Sequence, residues 1–178
     1  MRSPKKAFVM SLMLLCATQL HAQHYQQYCL QAGGQVEKMP AIFDTDMGEV
    51  KGNSKTFCTF AVDDGFLAIG LETFASSKPS IAATYGKMLN EVGEASLLWQ
   101  GDYSNPSHNV CKNIGGSTIG FVLDGGFSNS FGETDICVFG DGSMISAWTL
   151  IYMANHRSGY DAIKNKIKAL PLPVYITG

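Results

Sequence analysis

One alternation of apolar and polar positions occurs twice along the chain. Tyr25, Tyr28, Cys29 and Ala32 recur at helical spacing and stop at Gly33-Gly34; Val110, Cys111 and Ile114 do the same before Gly115-Gly116. Asn105-Pro106 supplies an N-cap and a first helical residue for the second of these helices, and glycine is the residue expected just past a helix end. A strand pattern follows each glycine pair, over Gln35 to Met39 and over Ser117 to Leu123. Polar, glycine-containing loops are predicted next, Phe43 to Lys55 and Asp124 to Glu133. A second strand carrying a cysteine then runs from Thr56 to Val62 or Thr134 to Phe139, ending at the turn signals Asp63-Asp64-Gly65 and Asp141-Gly142.

Beyond those turns, Phe66 to Phe74 and Ser143 to Ala154 begin like the returning strand of a hairpin, but the apolar run after Ser146 fits a helix capped by that serine equally well. A further helix is expected in each half: Pro79 to Val92, and Gly159 to Leu170 with Ser158 as cap and Ile163, Ile167 and Leu170 on one face. The joining segment, Gly93 to Ser104, holds Leu97-Leu98-Trp99 and is too apolar for a free linker, so Trp99 is expected to pack against a module. The fold class that follows is α+β. We expect two tandem repeats, 23–100 and 101–178, each a short helix, antiparallel strands with a hairpin and a following helix, packed with pseudo-twofold symmetry.

Residues 1–22 read as a secretory signal peptide: Arg2, Lys5 and Lys6 precede an apolar run from Ala7 to Ala17, and Leu20-His21-Ala22 gives a small-residue cleavage site. No run reaches the ~20 apolar residues of a membrane helix. A soluble exported protein, periplasmic or extracellular, is expected. Cys16 lies inside the leader after Leu15, where lipid attachment favours a small residue, so a lipoprotein is not expected. Without the leader, ten Lys and Arg stand against fifteen Asp and Glu, and Arg157 is the one arginine left. That balance argues against nucleic acid or phosphate as partner. Lys164, Lys166 and Lys168 read as a solvated helix face rather than an anion-binding patch.

Four cysteines remain after the leader, and in an exported chain they are expected to be oxidised. Four cysteines allow three pairings. The repeat, with offsets of 82 and 79 residues (111 − 29 and 137 − 58), selects Cys29 with Cys58 and Cys111 with Cys137. Each bridge closes a loop of 29 or 26 residues, worth roughly 3 to 4 kcal/mol in the chain-entropy model.

The segment Asn105-Pro106-Ser107-His108-Asn109-Val110-Cys111 with Gly115-Gly116, followed by Ile136-Cys137-Val138-Phe139-Gly140-Asp141-Gly142 and by Trp148, resembles the DUF333 family of small exported bacterial domains that carry a hemolysin label. The resemblance covers about fifty residues of the second repeat, and the first repeat follows it in outline. It implies an exported, disulfide-containing domain and names no catalytic residue. The family carries a further cysteine where this chain has Ile145, and its later partner cysteine is missing too.

Candidate chemistry is sparse. His108 lies three residues before Cys111 and can share its helix face, but an oxidised Cys111 offers no thiolate. The cysteines are spaced too far apart for a structural zinc site. Asp44-x-Asp46-x-Gly48-Glu49 lacks the ligand set of a calcium loop, so no metal or cofactor is expected. Glu133 with Asp135, or Asp63 with Asp64, are carboxylate pairs that strand ends and turns explain. Phe127, Asn129 and Phe131, in a Gly/Ser/Asn-rich frame near Phe121, have the composition of a recognition loop. The function expected is therefore non-catalytic binding of another macromolecule, an envelope or host protein, through the variable loops. A secreted hydrolase and a membrane-active hemolysin-like factor are the alternatives.

Overall fold

A computed structural model describes residues 21–62, 65–122 and 133–173. The described part of helix α1 covers residues 21–31, and strands β1 (Gln35–Thr45), β2 (Gly48–Val62) and β3 (Gly65–Gly70) follow, then helices α2 (Leu71–Ala75) and α3 (Ile81–Met88). The second half continues with α4 (Pro106–Asn113), β4 (Ser117–Val122), β5 (Glu133–Val138), β6 (Met144–Ser146), α5 (Ala147–Ala154) and α6 (Tyr160–Lys164). The six strands close into one antiparallel barrel in the order β1-β2-β3-β6-β5-β4. Strands from both halves share this one sheet: Ala41 and Ile42 of β1 pair with Phe121 and Gly120 of β4, and Ile69 of β3 pairs with Ile145 of β6. The architecture is α+β with two disulfides.

Strand alternation sorts the core into two layers. Met39, Ala41, Phe57, Ala68, Phe121 and Ile136 form one cluster, with Phe57 and Phe121 in edge contact at 5.1 Å between ring centroids. These side chains pack together inside the barrel. The alternate positions, among them Cys58, Phe60, Ile69, Cys137, Phe139 and Ile145, face outward and are covered by Phe74, Ala83, Leu150, Met153 and Ile167 of the helical layer.

Each half begins with the same local device. Cys29 of α1 is bonded to Cys58 of β2, and Cys111 of α4 to Cys137 of β5. The first glycine of each pair, Gly33 or Gly115, takes a positive φ of 88° or 84° that ends the helix. The second glycine lies on the disulfide. A Cβ on Gly34 would stand 2.8 Å from Cys58 Sγ, and one on Gly116 would stand 2.8 Å from Cys111 Sγ.

Several expected elements differ in extent. The chain after β3 and after β6 is neither strand nor helix throughout: it pairs briefly and then turns into α2 or α5, the latter capped by Ser146, whose hydroxyl accepts from the Thr149 amide. Helix α3 is shorter than Pro79 to Val92 because Ser80 caps it and its last turn ends at Met88. Helix α6 stops at Lys164 rather than Leu170, and its N-cap is Gly159 at φ 80° rather than Ser158. The three C-terminal lysines do not share a helix face: α6 ends at Lys164, and Lys166 and Lys168 follow it as exposed residues. Lys164 is buried with Nζ 3.4 Å from the Met153 carbonyl, Lys166 donates to the Ala32 carbonyl at 2.8 Å, and Lys168 lies over the Tyr28 ring. In the joining segment, Trp99 packs edge-on against Trp148 at 6.4 Å beside Val92, Val110 and Ile151.

Candidate functional site

The largest correction concerns Phe43 to Lys55. This segment is not a loop but a two-stranded arm, the distal half of the β1–β2 hairpin, turning at Asp46 and Met47. A register shift between Pro40 and Ile42 marks its root, at the same place where β4 last touches β1. Past Ile42 no third strand pairs with the arm among the described residues. Phe43 stands opposite Val50 and Asp44 opposite Glu49. Opposed residues share a face, so Phe43 and Val50 lie on one face of the arm and Asp44, Glu49 and Lys51 on the other. Phe43 is 44% exposed, Val50 51% and Met47 99%. Thr45 ties the tip, its hydroxyl donating to the Gly48 carbonyl at 2.7 Å and accepting from the Met47 amide at 3.2 Å.

At the foot of the arm lies a cleft of about 370 Å³. Lys55 and Thr56 of β2 form one wall, Leu71, Glu72 and Thr73 of α2 the floor, and Asp141 to Met144 of the β5–β6 turn the far wall; Tyr25 and Lys78 also reach it. Sequence reasoning took Asp141 for a turn residue. It is also the clamp between that turn and α3: Oδ2 accepts from the Ile81 amide at 2.8 Å, and Oδ1 accepts from the Ser143 amide and hydroxyl at 3.0 and 2.6 Å. Ser143 Oγ in turn accepts from the Ala82 amide at 2.9 Å. Burial pushes the Asp141 carboxyl up, but the bonds from Ser143 and Ile81 outweigh it and hold its pKa below the ordinary value. The free amides of the α3 N-terminus are thereby used up inside the protein. The Asp141-Gly142-Ser143 pattern was a visible sign of a side-chain-closed turn; its partner sixty residues upstream was not.

The other candidates are placed as follows. Phe127, Asn129 and Phe131, and Asp63 with Asp64, lie outside the described residues. Phe121 is buried in the barrel. All four cysteines among the described residues are bonded, so none offers a thiolate beside His108. His108 instead brings Nε2 to 3.0 Å from Asp135 Oδ2, out of hydrogen-bond alignment, under an edge contact from Tyr103. Asp44, Asp46 and Glu49 are exposed on the arm, and no group of three or more His, Cys, Asp or Glu among the described residues is arranged to hold a metal. No described helix is long and apolar enough to cross a membrane. The chain matches no family model, no curated protein and no solved structure.

Proposed function

We propose that this is an exported binding protein that recognises another macromolecule, an envelope or host protein, through the β1–β2 arm. The observation that carries this reading is the apolar face of the arm. Phe43, Val50 and Met47 are exposed on a ribbon with which no third strand pairs among the described residues, and a two-stranded ribbon gains little stability of its own. Exposed apolar groups on one face of such an element, with Asp44 and Glu49 on the other and Asp46 at the turn, have the composition of an interaction surface. Two disulfides, with no membrane-crossing helix among the described residues, are compatible with export. The binding loop at Phe127, Asn129 and Phe131 remains part of the proposal as a second contact.

The same reading includes a duplicated, pseudo-twofold architecture, with DUF333-like character in its second half. Its support is reciprocity: Cys58 pairs with Ile69 and Cys137 with Ile145, while Thr73 of α2 bonds β6 and Thr149 of α5 bonds β3. On this view Ile145, the site of the family's missing cysteine, is matched to Ile69, and an Ile–Ile pair stands at the seam between the two halves.

The test is a pull-down from periplasmic extract and from host lysate with the oxidised chain and with Phe43→Ser/Met47→Ser/Val50→Ser. The reading expects macromolecules captured by the unchanged chain to be lost by the variant at unchanged melting temperature. Equal capture by both would remove the arm from the function.

A further inference from the structure

Strand β3 leaves the barrel wall at Gly70, opposite Phe57, but β2 continues past that point through residues 48–56 with no strand paired on that side among the described residues. Gly70 is where the wall must open: a Cβ there would meet the Met144 carbonyl and Cβ at 3.2 Å, and the chain turns directly into α2. The place that a longer β3 would fill is the cleft at the foot of the arm, bounded by Lys55 and Thr56 on one side and Asp141 to Met144 on the other. In a strand, successive residues direct their N–H and C=O groups to alternate sides, so about half of the main-chain groups of this stretch point into the gap. The cleft's charged side chains are equally unused. Lys55, Lys78 and Glu72 have no ion-pair partner among the described residues, whereas Asp141 is saturated by the fold.

We infer that the free edge of β2 accepts an extended segment of a partner protein as an added strand. The segment pairs main chain to main chain from Thr56 outward, with an apolar side chain entering the cleft beside Tyr25 and Leu71 and a carboxylate meeting Lys55 and Lys78. Strand addition supplies affinity through backbone bonds and specificity through the pocket that every second side chain enters. The register shift opposite Ala41, at Gly52 and Asn53, sets where the pairing is interrupted. This rests on the reading of the arm as a recognition element and names the form of its partner.

The experiment selects a random dodecapeptide display library on the oxidised full chain, then measures binding of the enriched peptides and amide exchange of residues 54–56. Ser54→Pro and Lys55→Pro complete the test, because of two adjacent strand residues one directs its N–H to β1 and the other into the gap. The expected result is slowed exchange at the gap-facing amides on binding. The proline variant that keeps the melting temperature should bind about tenfold or more weakly. The inference is overturned if no peptide is enriched, if bound peptide leaves that exchange unchanged, or if the fold-neutral proline variant binds as well as the unchanged chain. Peptides lost by Phe43→Ser/Met47→Ser/Val50→Ser but indifferent to the proline would leave the arm in place and remove strand addition. Indifference to both would remove both.

Discussion

Thr149 Oγ1 accepts a hydrogen bond from the Ala68 amide at 3.3 Å, joining α5 to β3 across 81 residues of chain. Thr73 Oγ1 accepts from the Met144 amide at 3.0 Å, joining α2 to β6 in the reverse direction. The seam between β3 and β6 needs both, because Ile69 and Ile145 are its one recorded strand pair. A threonine in the first turn of each following helix therefore supplies the acceptor that a longer neighbouring strand would have supplied.

Thr149→Val keeps the shape of a fully buried side chain and leaves the Ala68 amide without an acceptor. The expected cost is about 1–3 kcal/mol, which for a chain of this size lowers the melting temperature by roughly 2–4 °C per kcal/mol. Thr149→Ser retains the acceptor and should lose less. Urea melts of the two variants decide the point, and equal losses would show that the hydroxyl does not matter.

The glycine pairs separate two physical demands. Gly115→Ala meets only the cost of a positive φ, about 1 kcal/mol, since nothing lies within 4 Å of the added carbon. Gly116→Ala drives a methyl into the Cys111–Cys137 bridge and should cost 2 kcal/mol or more, roughly the range of an overpacked core. The same order is expected for Gly33→Ala and Gly34→Ala. Comparable denaturant midpoints for both members of a pair would count against the disulfide contact as the reason for the second glycine.

Removing a bridge tests what the barrel owes to each half. Cys111→Ala/Cys137→Ala opens a loop of 26 residues, and the chain-entropy value is roughly 3–4 kcal/mol. Both sulfurs lie in the cluster under the helices, so the alanines also leave a cavity. If the variant melts within a degree of the parent, the bridges are not stabilising this fold.

The arm should be the least protected part of the described sheet. Residues 43–50 lie in a two-stranded ribbon, while Phe57 to Thr59 are flanked by β1 and β3, and local opening is cheapest where few buried contacts must break. Amide exchange in the isolated protein is expected to be fastest at the arm and slowest around Phe57 and Cys58. Uniform protection along β2 would mean that something further covers the arm.

Much of this was legible in the chain for reasons that are local. Asn105-Pro106 and Gly115 mark the ends of α4, Ser146 caps α5, and the apolar, β-branched and aromatic residues around Cys58 and Cys137 mark strands, which are buried on both faces. What was not legible depends on distant partners. The stretch from Phe43 to Lys55 is polar and glycine-containing, and its strand character comes from cross-strand pairing such as Ile42 with Lys51 rather than from alternation. Closure of one barrel from both halves rests on Ala41 meeting Phe121, a contact without a sequence signature. The cleft was invisible for the same reason: it exists because β3 ends at Gly70 while β2 does not.

Asp141 links the foot of the arm to acid stability. Its carboxylate holds the α3 amide of Ile81 and both polar groups of Ser143, and these bonds keep its pKa below the ordinary 3.8 of an unfolded aspartate despite burial. A depressed folded pKa contributes stability that is fully present above the unfolded value and is lost as pH falls through the folded one. Asp141→Asn removes the charge while keeping one acceptor oxygen, so it should melt below the unchanged chain near neutral pH. The gap between the two should stay constant down to about pH 5, narrow below about pH 4, and level off once the native carboxyl is protonated. Glu72 and Lys78 line the same cleft, and Glu72→Gln serves as the control for a nearby carboxylate with no such bonds. A melting difference between the parent and Asp141→Asn that is flat from pH 7 to pH 2, or one that Glu72→Gln reproduces, would show that the clamp is not held by the charge of Asp141.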